Sequence, residues 1–263
     1  MERKRTPVVL APRLQAIADL VLGGGRICDV GCDHAHIPLY LLFQERIPGA
    51  LAMDVIPGPL EKAESNIRRY ETDRIRGKIE LRLSDGLDAY VPGEAETLVI
   101  AGMGGWMIRK ILLREPEKTR SFTAMVLQPQ SDHGIVRSAI RELGWSIDEE
   151  RMARQDGKYY QVIRAVPADR PETAAPEVPL WGPEVTAEES LACEDRFGPV
   201  LLARLDPDLQ DYLRWQEDVT GRIEDALRTG GRDAQSAMKL KETEKERHYL
   251  RTALRLYEEI EQR

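Results

Sequence analysis

At 263 residues the chain is long enough for one full α/β domain and a smaller appendage. Its 42% hydrophobic content supports a packed core, and no apolar run approaches the length of a membrane span. A net charge of −7 argues against a protein that coats nucleic acid through phosphate neutralisation, yet leaves room for a shaped RNA held by local basic patches.

The three cysteines (Cys28, Cys32, Cys193) are too few and too oddly spaced for a disulfide framework. Arg3-Lys4-Arg5 is followed by Pro7, Pro12 and Arg13, not by the unbroken apolar stretch of a secretory signal, so a cytoplasmic location is expected. The first predicted element is a helix over residues 8–22, with Leu10, Leu14, Ile17, Ala18 and Val21 on one face and Gly23-Gly24-Gly25 as its stop. Short apolar runs at Ile27–Val30, Ala50–Met53, Ile79–Leu83, Thr97–Ala101 and Met125–Leu127 then alternate with helical stretches near 35–43, 58–70, 104–114 and 132–143. That alternation is the mark of a parallel sheet covered by helices on both faces, a doubly wound α/β fold. Trp145–Arg151 and Tyr159–Ala165 flank Asp156-Gly157 and read as an antiparallel hairpin that completes the sheet.

Residues 167–189, dense in proline and glutamate, read as a linker or irregular covering loop. From Asp206-Pro207, an N-cap followed by proline at the first helical position, the chain is wholly helical. Leu209, Tyr212, Leu213, Gln216, Val219, Ile223, Ala226 and Leu227 make one stripe, and Thr229-Gly230-Gly231 breaks it. A second helix from Asp233 carries Met238, Leu250, Ala253, Leu254, Tyr257 and Ile260 on one side. Together they predict an antiparallel, coiled-coil-like helical hairpin. The expected division is a sheet domain at 1–166, a linker or irregular covering segment at 167–205 and the hairpin at 206–263.

In an open parallel sheet, ligands bind beyond the carboxyl ends of the strands where the strand order reverses. After the first strand stands Asp29-Val30-Gly31-Cys32-Asp33-His34-Ala35. Gly31 allows a tight turn, but Asp33 stands where a dinucleotide fingerprint has a second glycine. Its negative charge would repel a pyrophosphate and suit a sulfonium cofactor bearing an amino group. Asp54 ends the second strand, placed for a ribose diol, and Ser84-Asp85-Gly86 ends the third, where Asp85 could accept an adenine amino group. The fourth strand opens into Ala101-Gly102-Met103-Gly104-Gly105-Trp106, which leaves backbone exposed where an acceptor must lie. Leu127-Gln128-Pro129-Gln130 brings amide side chains beside it. A zinc site from Cys28, Cys32, His34 and His36 matches no common ligand spacing, so no metal is expected.

These motifs resemble the bacterial tRNA (adenine(22)-N(1))-methyltransferase family. The resemblance rests on Asp29–Ala35, Ser84-Asp85-Gly86, Ile100-Ala101-Gly102-Met103-Gly104-Gly105, Leu127-Gln128-Pro129-Gln130 and Leu10-Ala11-Pro12-Arg13-Leu14. It implies a Rossmann-like class I methyltransferase domain that uses S-adenosylmethionine. By that resemblance the cofactor site is Asp29, Gly31, Asp33, Asp54, Asp85, Gly86 and the backbone at Ala101 and Gly102. The acceptor pocket is His34, Met103, Gly104, Gly105, Gln128 and Gln130. Asp33 and His34 would stabilise charge on the methylated base, and His34 or Gln128 would orient it. The helical hairpin would help to grip tRNA.

Two basic clusters could meet RNA: Arg3, Lys4, Arg5 and Arg13, or Arg68, Arg69, Arg74, Arg76, Lys78 and Arg82. Solvated helix faces and ends are the simpler reading of both. Two other functions stay open at this level. One is a methyltransferase acting on a small molecule or protein; the other is a non-enzymatic binding protein that works through the hairpin.

Overall fold

The computed structural model describes residues 8–73, 75–169, 181–230 and 233–261, which fall into two compact units divided at residues 175 and 176. In the first unit the parallel strands are β1 (Ile27–Val30), β2 (Ala50–Asp54), β3 (Ile79–Leu83), β4 (Thr97–Met103) and β5 (Ala124–Pro129). Helices α1 (Pro12–Leu20), α2 (His36–Phe43), α3 (Pro57–Tyr70), α4 (Gly105–Arg114), α5 (Pro116–Arg120) and α6 (His133–Glu142) connect and cover them. The antiparallel pair β6 (Trp145–Gln155) and β7 (Lys158–Pro167) completes a seven-stranded sheet of order β3-β2-β1-β4-β5-β7-β6. The chain winds outward from β1 to β3 and then returns to β4 on the other side of β1. The topological switch point therefore lies between β1 and β4.

Side-chain alternation distributes the core between the two faces. Cys28, Val30, Leu98, Ile100, Met125 and Leu127 pack with Ile108, Ile111 and Leu112 of α4 and with Val136, Ala139 and Ile140 of α6. Ile27, Ala50, Val99, Val126 and Val162 pack on the opposite face with Ile17, Ala18 and Leu20 of α1 and Leu39, Leu41 and Leu42 of α2. Arg137, fully buried on α6, donates through Nε and Nη2 to Glu150 Oε1 at 3.0 and 2.7 Å, and through Nη2 to Gln161 Oε1 at 2.7 Å. One guanidinium thus ties α6 to β6 and β7.

Several expected bounds shift. The first helix starts at Pro12, not residue 8, because proline disfavours helical backbone in the residue before it and Ala11 is accordingly extended. Val8 and Leu10 are still buried, but as irregular chain. The β6–β7 turn is the expected Asp156-Gly157, both with positive φ (50° and 73°), as a two-residue hairpin requires.

In the second unit, residues 187–203 are not irregular. They form α7 (Ala187–Phe197) and α8 (Pro199–Ala203), two helices within the segment expected to be a linker. Thr186 and Glu189 start α7 with a reciprocal capping box, a signal present in the sequence but hidden in a proline- and glutamate-rich stretch. Asp206 caps α9 (Pro207–Gly230), its carboxylate accepting from Leu209 N at 2.9 Å, and α10 (Ala234–Glu261) runs back along α9. Near their base the helices bury Leu209, Leu213, Leu250, Ala253 and Tyr257. Further out the seam is ionic: Arg247 donates to Glu217 at 2.8 Å and Glu224 at 2.9 Å, and Arg228 donates to Glu244 at 2.9 Å. The apolar stripe expected there is corrected accordingly, since Ile223 and Met238 are exposed and Gly221 lies against the Arg247 guanidinium. Among the described residues no helix is long and apolar enough to cross a membrane.

Candidate functional site

A cavity of about 440 Å³ opens at the carboxyl ends of β1, β2 and β4, beside the switch point. Asp29, Gly31, Cys32, Asp33 and His34 line one side of it. Asp54, Ile56 and Pro59 line the second, and Ala101, Gly102, Met103 and Gln130 the third. Arg13 and Leu14 of α1, with His36 and Ile37 of α2, complete the wall.

The turn after β1 is held by backbone bonds to the neighbouring strand, Gly31 N and Cys32 N both donating to Met53 O at 2.8 and 3.1 Å. Gly31 has φ +74°, a left-handed backbone that glycine adopts without strain, and the end of the flexible Met103 side chain lies against it. Asp33 and Ala35 also take left-handed backbone, with φ 45° and 54°, which turns the chain sharply before α2 begins.

The acids differ in environment. Asp29 is almost completely buried, and burial, reinforced by the Asp54 carboxylate, pushes its carboxyl up to about 7. Asp54 receives Ile56 N on Oδ1 at 3.0 Å. Asp33 is largely exposed, its side chain 3.5 Å from His34 Nε2. The His34 and His36 rings lie 5.3 Å apart, and burial, followed by the neighbouring His34, lowers the His36 pKa.

Of the expected cofactor residues, Asp29, Gly31, Asp33, Asp54, Ala101 and Gly102 line the cavity. Asp85 and Gly86 do not. Arg114 holds the Asp85 carboxylate at 2.8 Å and lowers its pKa, while Arg114 also reaches Asp88, and Gly86 lies against Ile111. Asp33 and Asp54, the acids that follow the first and second strands, thus line the cavity together with Asp29, while Asp85 pairs with Arg114 outside that lining.

Among the acceptor residues, His34, Met103 and Gln130 reach the cavity, and Gly104, Gly105 and Gln128 do not. Gly104 caps α4, and Gly105 is pressed so closely to the backbone of Ser131 and Asp132 that a Cβ would not fit. Gln128 follows the alternation of β5. It shares the parity of Val126, which faces α1, so its amide points beneath that helix. There it is fully buried, accepting Arg13 Nη1 at 2.8 Å and donating to Pro129 O at 2.7 Å.

Arg13, expected among the RNA contacts, lines the cavity. The short Leu10–Leu14 motif was the available signal, but its partner Gln128 lies 115 residues away. His36, also in the wall, stood out in the sequence only as a zinc candidate beside Cys28, Cys32 and His34. Arg3, Lys4 and Arg5 lie outside the described residues. Within the second basic cluster, Arg68 pairs with Glu64, Arg76 with Glu71 and Asp73, and Arg82 with Glu80 and Glu94. Cys28 belongs to the α4–α6 core and Cys32 to a separate cluster beside the cavity, so the two thiols share no site.

Residues 10–163 match the family model described as a methyltransferase domain. The chain is 32% identical to the tRNA (adenine(22)-N(1))-methyltransferase of Bacillus subtilis over 161 residues, 61% of this chain and 66% of that protein. The crystal structure of the B. subtilis M1A22 tRNA methyltransferase TrmK is similar with a TM-score of 0.77 and 26% identity, covering 94% of this chain and 99% of that one. A Streptococcus pneumoniae protein crystallised in complex with S-adenosyl-L-methionine is similar with a TM-score of 0.74 and 25% identity, covering 94% of this chain and 100% of that one.

Proposed function

The chain belongs to the methyltransferase-domain family, and we propose that it transfers a methyl group from S-adenosylmethionine to N1 of an adenine in tRNA, at position 22. The observation that carries this reading is the acid-floored cavity at the β1/β4 switch point. Its volume of about 440 Å³ is that of a small-molecule site. The lining fits the cofactor: buried Asp29 suits its ammonium, Asp54 its ribose diol, and the open backbone at Gly31 and Gly102 allows close approach. Bound there, S-adenosylmethionine supplies a methyl group on a positive sulfur, open to in-line displacement by a lone pair.

Adenine N1 carries such a lone pair at neutral pH, so the protein needs no strong base. Its work is alignment and charge. Asp33, exposed at the mouth, and His34 beside it complement the positive charge that develops on the base. Gln130 and the backbone after β4 orient the base, which leaves its stack to enter the cavity. Gln128 acts from beneath, through Arg13. The helical hairpin of α9 and α10 grips the RNA, with Arg3, Lys4 and Arg5 as further contacts, and the reaction belongs to the cytoplasm.

The test incubates pure protein with methyl-labelled S-adenosylmethionine and unmodified bacterial tRNA, then digests the RNA. Label in 1-methyladenosine is the expected result. Label absent from tRNA, despite measurable cofactor binding, would move the acceptor to a small molecule or protein.

A further inference from the structure

Arg13 is the sole arginine or lysine among the described residues lining a cavity that also holds Asp29, Asp33 and Asp54. None of the described carboxylates forms an ion pair with it. Neutral groups hold it instead: Nη1 donates to Gln128 Oε1 at 2.8 Å, the guanidinium carbon lies 5.7 Å from the Tyr160 ring centroid, and the backbone N–H donates to Gln155 Oε1 at 3.3 Å. Gln128 has no freedom to turn away, because it is fully buried and its amide nitrogen is engaged by Pro129 O. A Cβ built on Gly102 would lie 3.7 Å from Arg13 Nη1, which puts the guanidinium at the end of β4. A cation fixed by neutral partners keeps most of its charge for a ligand.

The cofactor named above carries one anionic group, the α-carboxylate of its amino-acid end. Among the described side chains lining a cavity that also holds three acids, Arg13 is the arginine placed to receive that carboxylate. We propose that Arg13 binds the cofactor α-carboxylate and that Gln128 is the positioning residue that aims it. This rests on the cofactor reading given above. It moves Arg13 from RNA contact to cofactor recognition, and it explains why a buried amide stands under α1.

The test measures, by calorimetry and without RNA, the affinity of the protein for S-adenosylmethionine and for its decarboxylated analogue, which keeps the ammonium and the sulfonium. Wild type should prefer the carboxylated ligand by about 10- to 100-fold, the range of a charge-assisted hydrogen bond. Arg13→Ala should erase that preference by weakening S-adenosylmethionine alone, and Arg13→Lys should restore part of it, since an ammonium lacks the fork. Gln128→Leu should reduce the preference in the same direction, with a thermal melt to establish that the variant is folded.

A preference that survives Arg13→Ala overturns the assignment, and lost tRNA retention in that variant would make Arg13 an RNA contact. Equal weakening of both ligands also overturns it, leaving Arg13 as part of the cavity's shape. Wild-type protein that binds neither ligand overturns the cofactor reading itself.

Discussion

Asp29, buried in β1, lies close enough to Asp54 at the end of β2 for the second carboxylate to help hold the first near neutrality. Burial is the larger cause, and the pair gives the cavity a floor whose charge depends on pH.

A stability slope follows. In the unfolded chain Asp29 titrates near 3.8, and in the folded protein at about 7. Between those values the folded state holds a proton that the unfolded chain has lost, so this residue's contribution to stability falls as pH rises across the window and is flat beyond it. Urea melts through that window should show the slope in wild type and its loss in Asp29→Asn. Parallel profiles would place its origin elsewhere.

Asp33→Asn isolates charge from shape. Asparagine tolerates the left-handed backbone at this position (φ 45°) and keeps the size of the side chain. Turnover should fall by about 100-fold if the carboxylate stabilises the cationic base, with tRNA retention unchanged. Equal losses in both measurements would make Asp33 structural.

Gly105→Ala tests the close approach of α4 to the loop after β5. The added Cβ meets Asp132 O and Ser131 O, backbone atoms that cannot swing aside. Stability should drop by about 1–3 kcal/mol in chemical denaturation, the cost of overpacking a tight contact. An unchanged midpoint would mean that the loop yields.

Arg137→Met should cost about 3–5 kcal/mol, because it strands the buried Glu150 carboxylate without its guanidinium. Adding Glu150→Leu should recover most of the loss in the same urea melts. A double variant no better than the single would show that Gln161 and the surrounding packing, not the stranded charge, set the cost.

Much of the sheet was legible because short buried strands and amphipathic helices carry local signatures. Ile27–Val30 and Ile79–Leu83 are legible to the residue, and Asp156-Gly157 and Asp206-Pro207 fix a turn and a helix start through their own backbone chemistry. The capping box of α7 was equally local, but the composition around it pointed to a linker. The hairpin was legible in its two helices and not in its seam. An apolar stripe and an ionic one share the same spacing, and only the facing of Arg247 against Glu217 and Glu224 shows which is buried.

The sequence by itself determined the alternation of elements, the acids Asp33 and Asp54 that follow the first two strands, and the glycine turns at the strand ends, since each depends on neighbours within a few residues. The tertiary structure alone decided that Arg13 lines the cavity, that Gln128 holds its guanidinium from beneath, and that Asp85 pairs with Arg114. The reason is physical: periodicity sets the face on which a side chain emerges, but the element that covers that face comes from far along the chain. Gln128 and Arg13 are 115 residues apart, and Asp85 and Arg114 are 29. A side chain's partner, and with it its role, is settled only when those elements pack.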